Sequence, residues 1–414
     1  MIDVNRYILN NGLRVLHHQD CTTQMVAVNI LYDVGSRDED PHRTGMAHLF
    51  EHLMFEGSLH IPDFDTPLQE AGGENNAWTS NDITNYYDVV PCQNVETVFW
   101  LESDRMLSLS FSPKGLETQR QVVMEEFKQR NLNQPYGDIP LLIRPLAYRE
   151  HPYRWATIGK ELGHIESTTM EEVKNFYFKH YAPNNAILSV AGNISFDETV
   201  RLAKKWFGPI ERRDIVRRNL PQEPPQTAPR FLEVEREVPA DMVVKAYHMC
   251  SRMDEEYHPC DMLSDILANG RSARLYQELV MGRKLFSEVN AYITGDRDAG
   301  LFFVTGKPNP GVSLQEADEA LRGEMQRLSQ EEIGEYEVQK IIHKFESNDL
   351  FSNINYLSKA TNLAYHEWLD RAENINTEVE KYRAVTPAML RKTASKTFVE
   401  KNCSTLYYRS KQGR

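Results

Sequence analysis

Apolar positions open the chain in two short runs. RYIL and LRVLHH flank Asn11-Gly12, the dipeptide best suited to a tight hairpin turn, so a β-ribbon is expected first. MVAVNILYDV follows as a largely apolar run of strand length. From Thr44 to Glu56 the period changes, because His48, Leu49, His52, Leu53 and Phe55 recur at helical spacing. NNAWTSNDITNYYDVVP then returns to the Thr, Tyr and Val content of strands, and strands and helices alternate from there.

Between Glu211 and Arg230 the pattern lapses. ERRDIVRRNLPQEPPQTAPR is polar and charged and carries Pro221, Pro224, Pro225 and Pro229, a composition that sustains neither a helix nor a central strand. On either side the chain repeats itself. STTMEEVKNFYFKHYAPNNAILSVAG and VTPAMLRKTASKTFVEKNCSTLYYRS both read as an N-capped amphipathic helix, a polar turn and a short strand. The expected organisation is a first module over residues 1–215, a proline-rich linker over 216–230 and a homologous module over 231–414. Hairpins join the strands as often as helices do, so the fold class is α+β, each module a largely antiparallel sheet with helices packed on one face.

A chain of 414 residues is long for one hydrophobic core, which agrees with two modules. With 41% apolar and 26% charged residues it reads as folded throughout. A net charge of -13 without a Lys/Arg run argues against nucleic acid or an anionic membrane surface as the main partner, while a basic peptide stays compatible. No stretch is apolar enough to span a bilayer, and the opening residues lack the basic and apolar regions of a signal peptide, so a cytoplasmic setting is expected. Five scattered cysteines with no CxxC pair read as free, buried thiols.

The chemistry concentrates in GMAHLFEHLMFEG. On a helix, His48 and His52 project from one face a turn apart, a spacing that lets two imidazoles share one tetrahedral zinc. Glu51 lies beside them, where a carboxylate can serve as general base to a zinc-activated water. H-x-x-E-H is the inverted order of a known zinc-peptidase motif, although histidines four apart also occur as ordinary helix residues. A catalytic zinc needs a third protein ligand and an open position. The best donor lies in GLETQRQVVMEEFKQRN, where Gln119, Val122, Val123 and Glu126 fall on one helical stripe. A carboxylate on an apolar stripe must be paired or coordinated, which singles out Glu126; Glu125 points about 100° away, toward solvent. The plainer alternative is a solvated Glu-Glu pair.

HLFEH, GGENNAWTSNDITNYY, QRQVVMEEF, HPYRWATIG and GRSARLYQEL, in this order over nearly the whole chain, resemble the blocks of the pitrilysin, insulysin and mitochondrial processing peptidase family. The resemblance implies one Zn2+ per chain on His48, His52 and Glu126, with Glu51 as catalytic base. It also implies that extended or unfolded peptide substrates add to an edge strand at Asn76 and Ala77, where backbone pairing reads a chain with little regard to sequence.

Two positions depart from the family pattern. Gln119 stands where a Glu is common, which alters the support of the metal ligands rather than removing one. In the second half, self-sufficient members carry an Arg and a Tyr that hold substrate near the zinc. The matching positions here are Val280 and Ser287. The expected partner is therefore a homologous subunit that supplies the missing Arg and Tyr, with Arg283 or Tyr292 as the substitutes a homodimer would use. A non-catalytic peptide-binding or assembly subunit is the alternative function; a purely structural zinc would need a fourth protein ligand, and no Cys lies nearby.

Overall fold

The chain turns close to the expected dipeptide, one residue earlier: the Gly12 N–H donates to the Leu9 carbonyl at 2.9 Å, which puts Asn10 and Asn11 at the centre of the turn and Gly12 just after them. Strands β1 (Asn5–Ile8) and β2 (Arg14–Gln19) pair antiparallel on either side of it, and Gly12 takes a φ of 91°, a conformation that side chains resist. The structure, a computed structural model, describes residues 1–216 and 219–411. Strands β3 (Met25–Tyr32), β4 (Glu74–Thr79), β5 (Thr84–Pro91) and β6 (Ala186–Gly192) complete a six-stranded sheet of order β1-β2-β6-β3-β5-β4. Only β2 and β6 run parallel. Helices Met46–Leu53, Val95–Leu107, Met170–His180 and Phe196–Trp206 cover one face through a core that includes Val28, Ile30, Leu49, Phe50, Phe99, Phe176 and Leu202. Each such side chain, fully buried, contributes about 1.5–3 kcal/mol.

The second sheet holds β7 (Arg230–Arg236), β8 (Met242–His248), β9 (Phe286–Ile293), β10 (Leu301–Pro308) and β11 (Cys403–Ser410), in the order β7-β11-β8-β10-β9. Set beside β2-β6-β3-β5-β4, the two orders coincide strand for strand. The single parallel pair, β7 with β11, again involves the last strand. The repeated segments occupy equivalent places: Thr169 caps Met170–His180 ahead of β6, and Thr386 caps Pro387–Thr397 ahead of β11. Helices Tyr257–Ala268, Leu314–Gln330 and Pro387–Thr397 bury one face of this sheet.

The modules are not the contiguous stretches that the linker implied. One unit comprises Met1–Lys128, Trp155–Leu220 and Asp349–Thr377; the other comprises Gln129–Arg154, Pro221–Asn348 and Glu378–Arg414. Each half of the chain thus lends a segment to the other unit. The cause lies in the strands, since β6 is buried at every position and an inner strand apolar on both faces needs cover on both. In the first unit Tyr356–Leu369 supplies the second cover, packing Leu363, Ala364 and Trp368 against Leu16, Leu31 and Ile187. In the second unit Ile139–Ala147 does so, with Ile143 and Ala147 in one cluster with Val244, Phe303 and Leu406.

The proline-rich stretch is only partly a linker. Arg217 and Arg218 lie outside the described residues. From Pro221 the chain is fixed to the second unit: the Glu223 carboxylate accepts the backbone N–H groups of Arg149, Glu150 and His151 at 2.8, 2.9 and 3.0 Å, and Gln226 donates to the Cys403 carbonyl at 2.8 Å. The cysteines are free, but only Cys260 and Cys403 are buried and Cys21 is exposed. Among the described residues no helix is long and apolar enough to cross a membrane.

Candidate active site

Helix Met46–Leu53 carries the motif. Gly45 precedes it at a φ of 90°, and a Cβ there would meet the Ile158 carbonyl oxygen at 2.9 Å, so glycine is required. The N-terminal amides are held by Glu39, whose carboxylate accepts from the N–H groups of Gly45 at 2.9 Å and Ala47 at 2.8 Å. Burial pushes the Glu39 carboxyl up to about 8, against the pull of those two amides. Met46, Ala47, Leu49, Phe50 and Leu53 face the core, and the Phe50 ring stacks on Tyr181 at 4.7 Å. That leaves His48, Glu51 and His52 together on the half-buried side.

Helix Pro113–Phe127 supplies the carboxylate. Ser112 caps it by accepting from the Gly115 N–H at 3.2 Å, and Pro113 occupies its first turn. The buried side is set by Leu116, Val123 and Phe127; Val122, expected on the same stripe, is 44% exposed instead. Glu126 sits at the margin of that buried side and Glu125 is exposed. Glu126 Oε2 stands 3.6 Å from His48 Nε2 and 3.5 Å from His52 Nε2. With ligand bonds of about 2.0–2.2 Å, two donors on a tetrahedral zinc lie roughly 3.3–3.6 Å apart, so both separations from Glu126 match those of such an ion, and all three donor atoms lie within 4.8 Å of one another. They form the one group of three metal-competent residues found among the described residues.

Neighbouring residues orient this group. The Gln119 side-chain amide donates to Glu56 and turns its Oε1 to His52 Nδ1 at 3.2 Å. His52 therefore carries a proton on Nδ1, which leaves Nε2, the nitrogen facing Glu126, as the one able to hold a metal. Burial disfavours the imidazolium of His52, but the bond to Glu126 and the charges of Glu126 and Glu51 outweigh it and raise its pKa above the ordinary 6.5. The point where the three side chains converge thus favours positive charge. Glu51, outside this group, accepts a 2.5 Å hydrogen bond from the Thr79 hydroxyl.

Residues 14–161 match the family model for insulinase (peptidase family M16), and residues 167–345 match the model described as the peptidase M16 inactive domain. Zinc protease PqqE of Helicobacter pylori is 30% identical over 361 residues, 86% of this chain and 81% of that protein. The chain belongs to the insulinase family, peptidase family M16. A crystal structure of a protease from Helicobacter pylori superposes with a TM-score of 0.92 at 26% identity, covering 99% of this chain and 100% of that one. The structure of a peptidase M16 inactive domain from Pseudomonas fluorescens shares the fold, with a TM-score of 0.89 at 15% identity over 99% and 98% of the two chains.

Within this family member the remaining sequence-derived site residues fall as follows. Asn76 is exposed and Ala77 half-buried on β4, the edge strand, which among the described residues pairs with β5 alone. Val280 is half-buried against the second core, while Ser287 is exposed and donates to the Lys307 carbonyl at 3.2 Å. Neither offers a charge or a phenol. Arg283 is exposed, and Tyr292, 47% exposed, stacks on Phe303 with ring centroids 5.0 Å apart.

The second unit places helix Tyr257–Ala268 after β8 as the first places its motif helix after β3. Two acidic residues four apart, Asp261 and Asp265, stand on it. Asp261 accepts from the Tyr382 hydroxyl at 2.6 Å, and Asp265 accepts from the Lys344 ammonium at 2.8 Å. A lysine of the protein itself provides the cation there. No spacing in the sequence marks Thr79, Glu56 or Glu39: the partners of Thr79 and Glu56 are remote in the chain, and Glu39 reaches its nearby amides through an irregular loop.

Proposed function

We propose that this chain is a zinc-dependent endopeptidase that hydrolyses unfolded or short peptides. The observation that carries the proposal is the convergence of His48, His52 and Glu126 at zinc-ligand spacing, with Glu51 alongside but outside the ligand group. Zinc bound by these three residues supplies Lewis acidity, polarising the scissile carbonyl and acidifying water. Glu51 takes the proton from the attacking water and returns it to the leaving amide nitrogen. A peptide adds to the free edge of β4 at Asn76 and Ala77, held by backbone hydrogen bonds that ignore side-chain identity. The family's zinc proteases support this reading, and five free cysteines support the cytoplasm as the place of work. Chelation should abolish cleavage of an unfolded peptide mixture, and one equivalent of zinc should restore it. Cleavage that survives complete removal of metal would refute the proposal.

A second element concerns assembly. At Val280 and Ser287 the second unit offers an apolar side chain and a short hydroxyl already bonded to Lys307. An attacked carbonyl develops negative charge that positioned cationic or phenolic donors stabilise. We therefore propose that a homologous subunit carrying Arg and Tyr completes the site in a hetero-oligomer. Weak activity of the isolated chain, rescued by such a partner and lost when the partner's Arg or Tyr is removed, is the expected result. Full activity of the chain alone would refute the assembly. A chain that binds peptide and its partner but stays inactive when fully zinc-loaded in their complex would instead be the non-catalytic subunit.

A further inference from the structure

Thr79 is the last residue of the edge strand, and its hydroxyl donates to Glu51 Oε2 at 2.5 Å. Along β4 the exposure alternates, so that Ala77 and Thr79 share the half-buried face while Asn76 and Trp78 are exposed. The mount of Thr79 is stiff on its inner side. It pairs with Thr84 across the hairpin, and the turn between them is closed by the Ser80 N–H to the Ile83 carbonyl at 2.8 Å. The Ser80 hydroxyl accepts from the N–H groups of Asp82 and Ile83 at 3.1 and 3.0 Å. The turn is pinned in turn by Arg37, whose N–H donates to the Asn81 carbonyl at 2.9 Å and whose guanidinium pairs with Asp82 at 2.8 Å. At Gly35, a Cβ would lie 2.5 Å from the Asn81 carbonyl oxygen, so chain and turn are in direct contact.

Glu51 belongs to the motif helix. It projects from the half-buried side of a short helix on a flexible side chain with three rotatable bonds. The 2.5 Å bond from a hydroxyl fixed to the end of the edge strand restrains the rotamer of its carboxylate. We propose that Thr79 is a positioning residue, tying the catalytic carboxylate to the strand on which the peptide is paired, so that substrate register and base orientation are set by one element. The proposal rests on the reading of Glu51 as the base and of β4 as the peptide-binding edge.

The test compares Thr79→Val and Thr79→Ser in the full chain, each checked for zinc content. Thr79→Val should lose about 10- to 100-fold in kcat, as misplacement of a catalytic group by an ångström does, with KM for an extended peptide within about twofold of wild type. Thr79→Ser, which keeps the hydroxyl, should recover kcat to within about threefold. Crystal structures of the metal-free forms give a second readout: Glu51 should stay on Thr79 in the wild type and adopt another rotamer in Thr79→Val. An unchanged kcat in Thr79→Val, a change confined to KM, or a Ser variant as slow as the Val variant would overturn the proposal. So would a Glu51 rotamer indifferent to the substitution. If the zinc-loaded wild type, together with whatever partner subunit full activity requires, hydrolyses no peptide, the functional reading fails, and the rotamer comparison alone decides the role of Thr79.

Discussion

Replacing Gln119 with Met removes the amide that stands between His52 and Glu56 while preserving side-chain length and half-buried packing. Two bonds are lost. The one to His52 Nδ1, at 3.2 Å, fixes the tautomer and the ring plane of an imidazole that we propose holds the zinc. Loss of such a support lowers metal affinity about 10- to 100-fold, or about 1.4–2.8 kcal/mol. The bond to Glu56 involves a half-buried carboxylate that water can reach, so its loss should cost the metal-free fold only about 1 kcal/mol. Zinc Kd measured by competition with a chromogenic chelator, alongside urea unfolding of the metal-free chain, separates the two effects. A Kd within about twofold of wild type would refute the reasoning. Gln119→Glu alone should bring no gain, because it sets a second carboxylate against Glu56. Paired with Glu56→Gln it restores a donor between them and gives His52 an anionic acceptor, and the double variant should bind zinc at least as tightly as the wild type.

Three further outcomes follow from particular side chains. His52→Ala should lose most of the bound zinc, read as metal per chain after dialysis; full stoichiometry would show the ligand assignment to be wrong. Glu126→Gln keeps the shape but not the charge at the convergence point, and should weaken zinc binding while leaving the Helix Pro113–Phe127 folded, as circular dichroism can check. Burial and the nearby charge of Lys179 push His180 down to about 3 from an ordinary 6.5. Between those values the unfolded chain binds a proton that the folded chain refuses, so stability is lost as pH falls, by about 2 kcal/mol at pH 5. His180→Phe should remove that sensitivity, and urea midpoints at pH 7 and pH 5 that stay as far apart as in the wild type would contradict it.

Much of this molecule was legible from local rules. Gly12 marks the first hairpin by a left-handed conformation that few other residues adopt, and Thr169 and Thr386 announce their helices by the same cap. The i, i+4 spacing of His48 and His52 needed only the helical period. Legibility stopped where partners are remote. Helices Ile139–Ala147 and Tyr356–Leu369 are amphipathic in the ordinary way, and nothing in their period says which sheet they cover. Val122 shows the same limit, since a stripe of four positions spans both the core side and the exposed margin of its helix. Thr79 acts on the motif helix through one hydrogen bond set by tertiary placement, and Glu39 through two bonds that its loop conformation, not any spacing, provides. The homologous helix in the second unit, where Lys344 meets Asp265, shows why one topology yields a metal-competent cluster only once among the described residues.

The most direct test is the Glu51→Gln variant assayed at a measured zinc content. Glu51 lies outside the ligand group, so the variant should fold and hold one zinc per chain as the wild type does. Its hydrolysis of an unfolded peptide, with whatever partner subunit full activity requires, should fall by about 10²–10⁴-fold. Loss of activity with zinc retained is the expected result; turnover near that of the wild type, at full zinc occupancy, would contradict the assignment of Glu51 as the base.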